Sequence, residues 1–256
     1  MSALISYEVA DGVCVLTMNR PGQRNAVNAG LARELRQALA RFEADPAAQI
    51  GILAGRGKVF CAGMDLKAFA DGEADEILFG ENRFAGIADA DRKKPLIAAV
   101  QGAALAGGLE IALACDLIVA EQEAVFGLTE VKVGIFAVAG GPFRLAKRIP
   151  PARALELALT GGRIGATEAR DLGLVNRIAP PGKLMDTARQ LAAQIAENAP
   201  LGIAATLAIV RSALRENEAQ LFRLSEDLWA GVAGSHDARE GPAAFAEKRR
   251  PGWTGT

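Results

Sequence analysis

The sequence predicts an α/β protein with a largely parallel core, and three observations carry that prediction. IGILAG (50–55) and LIAAVQG (96–102) are short apolar runs ending in glycine, each followed by a loop and then by helix-periodic sequence. Such alternation marks βα units around a shared sheet. Two β-prone runs near the start are joined by Asp11-Gly12, a dipeptide that favours a tight hairpin turn. From about Gly182 onward the pattern is helical throughout, which predicts a helical appendage on the α/β core.

In chain order, ISYEVA and VCVLTM form the hairpin, and the loop NRPGQRNAVN leads to Asn28, a residue type that caps helices. The helix it opens runs through about Asp45, with Leu31, Leu35, Ala38 and Phe42 spaced for one apolar face. Weak periodicity from Phe69 to about Ala90 predicts an irregular, mobile helical excursion over the surface, with a lid as the alternative. The appendage reads as helices over Lys183 to Asn198, Leu201 to Leu214, Glu218 to Val232 and Asp237 to Lys248, punctuated by Pro200 and the Gly231/Gly234 pair.

Composition narrows the chemistry. The chain has 256 residues, 50% hydrophobic, with 30 acidic and 29 basic side chains. A chain of this length buries roughly 70–75% of its unfolded surface, so its core needs neither disulfides nor a metal. Cys14, Cys61 and Cys115 cannot all pair and have no zinc-site spacing, which points to a reducing cytoplasm. The start MSALISYEVADG has no signal-peptide character, and no apolar run reaches the roughly 18 residues of a spanning helix. A net charge of -1 gives no field for nucleic acid. His236 is the sole histidine and no G-x-S-x-G occurs, so a Ser-His hydrolase or a multi-histidine metal centre is not expected. Carboxylates and backbone dipoles are left to carry catalysis.

Two glycine loops stand at strand-to-helix junctions. The first is Phe60-Cys61-Ala62-Gly63-Met64-Asp65-Leu66-Lys67, the second Gly102-Ala103-Ala104-Leu105-Ala106-Gly107-Gly108-Leu109-Glu110. The second is neither a Walker A loop nor a dinucleotide fingerprint. Alone, each loop reads as well as a tight turn. Together they offer two sets of free N–H groups, the arrangement that stabilises a developing oxyanion. Glu110 follows Gly107 by one helical turn among Leu109, Ile111, Ala112 and Leu113, so partial burial is expected to raise its pKa toward neutrality. Glu130, in FGLTEV, follows another short apolar strand. The alternative for either glutamate is an ordinary surface or capping role. Cys61 reads as a small apolar filler and His236 as a residue flanking the last helix.

These residues resemble the crotonase (enoyl-CoA hydratase/isomerase) superfamily over essentially the whole chain. The matching pieces are NRPGQRNAVN, VFCAGMDLKAF, PLIAAVQGAALAGGLEIALACD, AVFGLTEVKVGIF, AGGPFRL, LTGGRIGATEARDLGLVN and EGPAAFAEKRRPGW. Within the superfamily, GMDLKAFADGEA, GGLEIALACD and DAREGPAAFAEKRRPGW are most similar to the carnitinyl-CoA dehydratase branch.

The resemblance implies a spiral of ββα turns, residues 1–190, holding the acyl-CoA site, and a C-terminal helical region, 191–256, that assembles homotrimers or hexamers as dimers of trimers. It implies no cofactor beyond the coenzyme A of the substrate. By resemblance the oxyanion hole is formed by the N–H groups of Met64 and Gly107. Ala62, Asp65 and Leu66 lie along the adenine and Lys67 near the phosphates, with a further phosphate contact from Arg24 and with Gly63 also among the CoA-binding residues. Phe245 and Lys248 of a neighbouring subunit close over the nucleotide. Hydrating members carry glutamates at the positions matching Glu110 and Glu130, which together hold the water added across the 2,3-double bond. Two departures stand out: Ala106 precedes Gly107-Gly108 where three glycines are usual, which implies only tighter packing. Val138 stands where hydratases commonly have a glycine near the catalytic water, which bears on the substrate. Three readings therefore remain: a hydratase-type lyase, an isomerase or other acyl-CoA enzyme, and an acyl-CoA-binding module without catalysis.

Overall fold

A computed structural model describes residues 3–213 and 215–256. The chain opens with β1 (Ile5–Ala10) and β2 (Val13–Met18), paired antiparallel with Ala10 opposite Val13. Asp11 and Gly12 both have positive φ, 50° and 76°, as a type I′ turn requires. Helix α1 (Ala29–Ala44) is capped by the Asn28 side chain, which accepts the Leu31 N–H at 2.9 Å. Its inward face is Leu31, Leu35, Leu39 and Phe42; Ala38 is only half-buried, one position off the stripe.

The strands β3 (Ile50–Gly55), β4 (Leu96–Val100), β6 (Leu117–Glu121) and β9 (Arg177–Ala179) follow β2 in one sheet, ordered β1-β2-β3-β4-β6-β9 and parallel from β2 on. A second sheet is built from β5 (Ala103–Leu105), β7 (Val125–Gly127) and β8 (Ile164–Gly165). Single bridges, Cys61 to Ala104 and Val27 to Met64, extend this second layer to the first glycine loop. The β4–β5 and β6–β7 turns thus give one strand to each sheet before a helix. The expected βα unit is a ββα unit, its extra strand too short to show in periodicity.

Both faces of the main sheet are covered, which is why IGILAG reads as a continuous apolar run. One face carries Cys14, Leu16, Leu53 and Ala98 against α1, Phe60, Phe84 and Phe126. The other carries Val13, Ile50, Ile52, Ile97 and Val119 against Leu184, Ala188 and Ala192. Each fully buried Ile or Leu contributes about 1.5–3 kcal/mol.

After β3 come the single turn α2 (Leu66–Ala68), a π-helical turn over Phe69–Glu73 and α3 (Ala74–Phe79). This segment is irregular, as predicted, but its end is core rather than surface. Phe84, Ala85, Ile87 and Ala88 are buried, and the 3-10 turn Phe84–Gly86 packs on α1. The remaining helices are α4 (Gly107–Ala114), α5 (Gly141–Arg148), α6 (Pro151–Thr160), α7 (Ala166–Asp171), α8 (Leu184–Ala196), α9 (Pro200–Ser212), α10 (Glu218–Ala233) and α11 (His236–Glu247). The expected end of α9 at Leu214 lies outside the described residues, as do Met1 and Ser2. The division expected at residue 190 falls inside α8, which packs on the sheet. Neither α9 nor α10 has a buried residue. Among the described residues no single helix is long and apolar enough to cross a membrane.

Candidate active site

The two glycine loops interlock. Cys61 N–H donates to Ala103 O at 3.2 Å and Leu105 N–H to Cys61 O at 3.1 Å, so the loops share a strand-like ladder. Gly63 has φ +101°, and a Cβ there would meet Gly107 N at 3.1 Å and the Ala106 Cβ at 2.9 Å. The chain therefore needs glycine at position 63 both for conformation and for approach. Val27 donates to Gly63 O and Asp65 donates back to Val27 O, leaving the intervening Met64 N–H without an acceptor among the described bonds. Gly107 opens α4, so its N–H has no partner within the helix. The Phe84 ring lies against Gly107 where a Cβ would stand. Ala106 reaches this turn with φ 51° and ψ −127°, a conformation that L-residues rarely adopt.

Glu110 is 3% exposed on α4. Its Oε1 accepts the N–H of Ala139 and of Gly141, each at 2.8 Å. Burial raises its pKa; the two N–H groups and the Arg144 charge oppose that rise. Glu130 opens a 3-10 turn, Glu130–Val133, and is 7% exposed. Neither of its carboxyl oxygens has a hydrogen-bond partner. Burial pushes its pKa up to about 7, opposed by its own and Thr129's backbone, with the Glu110 charge adding to the rise. The two carboxyls thus share one field but differ in partners: Glu110 accepts two N–H bonds that favour its ionised form, and Glu130 is poised to hold a proton near neutrality.

Around the first loop, Ala62 N–H donates to Arg24 O at 3.0 Å, which ties Arg24 to the loop while its side chain stays exposed. Asp65 caps α2 by accepting from Lys67 and Ala68 N–H, and pairs with Arg20 at 3.0 Å. Burial works against the Asp65 charge, yet Arg20 and those N–H groups hold its pKa below the ordinary value. Its side chain is therefore engaged in positioning the loop. Leu66 and Lys67 are exposed. Val138 is 40% exposed, one residue before the Ala139 N–H that clamps Glu110. Phe245, 87% exposed, and Lys248, at the C-cap of α11, have no hydrogen bond to the glycine loops among the described residues. Cys61 is buried, with its thiol pushed up to about 12 by desolvation, which suits a filler.

Sequence reading missed three supports. Asn25, fully buried with φ 54°, accepts from Arg20 N and donates to Arg56 O and Val59 O. Phe84 backs Gly107, and Arg144 donates to Ala139 O at 3.0 Å and to Ala88 O. A glycine-proline helix start at Gly140-Gly141-Pro142 was the one local signal near Arg144. A cavity of about 820 Å³ lies between α4–α5 and the α9–α10 pair; Arg144 lines it and neither glutamate does.

The ββα spiral thus brings together two interlocked glycine loops, whose Met64 and Gly107 N–H groups have no acceptor among the described bonds, and two buried carboxyls that feel each other's charge. The enoyl-CoA hydratase/isomerase family matches residues 8–256, and the chain belongs to that family, with the crotonase fold. It is 41% identical to carnitinyl-CoA dehydratase of Proteus mirabilis (strain HI4320) over the full length of both chains. It is 45% identical to that of Escherichia coli (strain K12), covering 94% of each. Among solved structures, an enoyl-CoA hydratase from Mycobacterium tuberculosis H37Rv superposes with a TM-score of 0.95 at 46% identity over both whole chains. A carnitinyl-CoA hydratase from Mycobacterium avium does so at 0.79 and 39%, also over both whole chains.

Proposed function

We propose that this chain adds and removes water across the 2,3-double bond of an acyl-CoA thioester, with Glu110 and Glu130 as the acid/base pair. The observation that carries the reading is the contrast between the two buried carboxyls: one clamped by two N–H groups, the other unpartnered and raised to about 7. In hydration the Glu110 carboxylate takes a proton from water as its oxygen bonds to C3. Electrons of the double bond move toward the thioester oxygen, and the resulting enolate collects the Glu130 proton at C2. Exchange with solvent resets the pair, and dehydration runs the same steps backward. Met64 and Gly107 N–H receive the oxyanion, which exists only along the reaction, so preorganised donors there contribute roughly 3–4 kcal/mol each.

Coenzyme A binding is assigned to Arg24, Ala62, Gly63, Asp65, Leu66 and Lys67, with Phe245 and Lys248 from a second copy of the chain. Val138 faces the acyl side. No cofactor other than the coenzyme A of the substrate enters these steps. The unburied α9–α10 pair, with Val210, Phe222 and Trp229 exposed, supports assembly as a trimer or a dimer of trimers. The free, buried cysteines suit a cytoplasmic setting. The test is loss of conjugated enoyl-thioester absorbance across 2-enoyl-CoAs, crotonyl-CoA and crotonobetainyl-CoA included. Turnover of at least one, with most of that rate lost in Glu110→Gln and in Glu130→Gln, is expected. Acyl-CoA binding without turnover on any would support the binding-module reading instead.

A further inference from the structure

We propose that Arg144 is a positioning residue for Glu110: its guanidinium holds the carbonyls of Ala139 and Ala88, joining the loop that clamps Glu110 to the turn that sets Phe84 against Gly107. This rests on the reading of Glu110 as an acid/base residue.

The loop between the Glu130 turn and α5 has few main-chain ties of its own. Among the described hydrogen bonds, the main chain from Phe136 to Gly140 makes one to other main chain: the Arg144 N–H donates to Gly140 O in the first turn of α5. Its other bonds run to two side chains. Ala139 N–H reaches Glu110 Oε1, and Ala139 O accepts from Arg144 Nη1. One peptide residue is thus gripped on its N–H by the acid/base group and on its carbonyl by Arg144. Without Arg144, the loop that orients Glu110 would be tethered chiefly by Glu110 itself.

The second arm of the fork crosses to another part of the spiral. Arg144 Nη2 donates to Ala88 O, at the end of the buried segment that carries Phe84. Phe84 backs Gly107, the first residue of α4, on which Glu110 also sits. Loop, turn and helix therefore form a closed circuit, in which Glu110 links loop to helix and the guanidinium links loop to turn. A planar fork can serve two carbonyls from separate segments; an ammonium on a flexible stem does not fix that geometry. The guanidinium also lies against Gly140, where a Cβ would meet Arg144 Cζ at 3.0 Å. Its charge favours ionised Glu110, against the desolvation that raises that carboxyl.

Arg144→Met and Arg144→Lys test this by two independent readouts. In protein labelled with ¹³C at glutamate Cδ, the Glu110 resonance, assigned by its loss in Glu110→Gln, reports ionisation without any turnover. Its midpoint is expected to rise in Arg144→Met and to stay near wild type in Arg144→Lys, which keeps the charge. On whichever acyl-CoA the wild type turns over, kcat is expected to fall about 10²-fold in both variants with KM little changed, as displacement of a reacting group by about 1 Å predicts. A folded Arg144→Met with an unchanged midpoint overturns the inference. Should Arg144→Met not fold, Arg144→Lys decides: wild-type kcat in it overturns the inference, and reduced kcat at an unchanged midpoint supports it. A wild type inert on every substrate refutes the functional reading alone, because the titration still scores Arg144.

Discussion

Glu130→Gln is expected to make the protein more stable at neutral and alkaline pH while removing most of the hydration rate. Glu130 is 7% exposed, both its oxygens lack partners, and burial lifts its pKa from 4.5 to about 7. Between those values the unfolded chain has released a proton that the folded chain retains. Stability is therefore full below about pH 4.5, falls as pH rises through the window, and carries the whole penalty above about 7. At about 1.4 kcal/mol per pKa unit the penalty reaches roughly 3 kcal/mol, an upper bound that partial solvent access reduces to about 1–3 kcal/mol. Glutamine has nearly the same shape and no charge to bury. The assay is urea unfolding of wild type and variant at pH 4.5 and pH 8, compared at equal protein concentration. The variant should gain about 1–3 kcal/mol relative to wild type between the two pH values, or roughly 2–4 °C in Tm per kcal/mol. An equal gap at both pH values, or a variant less stable at pH 8, would refute the reasoning.

Other outcomes follow from the same contacts. Glu110→Gln keeps an oxygen to accept from Ala139 and Gly141 but has no carboxylate, so kcat should fall about 10²–10⁴-fold with the fold intact, read by steady-state kinetics and circular dichroism. Hydration needs ionised Glu110 and protonated Glu130, so kcat/KM should decline as pH rises through about 7; a basic limb that survives in Glu130→Gln would contradict this. Ala106→Gly relieves an L-residue at φ 51°, ψ −127° and should raise stability by about 1 kcal/mol with activity retained, measured by thermal unfolding. Asn25→Ala removes the partner of Arg56 O, Val59 O and Arg20 N at a fully buried side chain and keeps a Cβ at φ 54°, so it should cost about 2–4 kcal/mol, measured in the same way.

What was legible in the sequence was local. Asp11-Gly12, the Asn28 cap and the glycine-ended runs each act within a few residues, so their chemistry shows in the string. Periodicity placed the α1 stripe within one position, missing Leu39 because Ala38 has an equally apolar side chain. The strands β5, β7 and β8 have three residues or fewer, shorter than any pattern of alternation can reveal. The burial of Phe84 escaped notice because it depends on the groove between α1 and Gly107, not on its own neighbours. Glu110 and Glu130 were identifiable as residues; what separates their chemistry was not. The clamp on Glu110 comes from residues 29 and 31 positions away, and the bare surroundings of Glu130 exist only in three dimensions.

The proposed hydration bonds oxygen from water to C3 and a proton to C2 of an enoyl thioester. The most direct measurement is mass spectrometry of the product formed by wild type from the best 2-enoyl-CoA in ¹⁸O-labelled water, repeated in deuterium oxide. The expected product is a 3-hydroxyacyl-CoA carrying one labelled oxygen and, in the second solvent, one deuterium at C2. Deuterium entering the acyl chain with no labelled oxygen would contradict it, and would identify proton transfer without hydration.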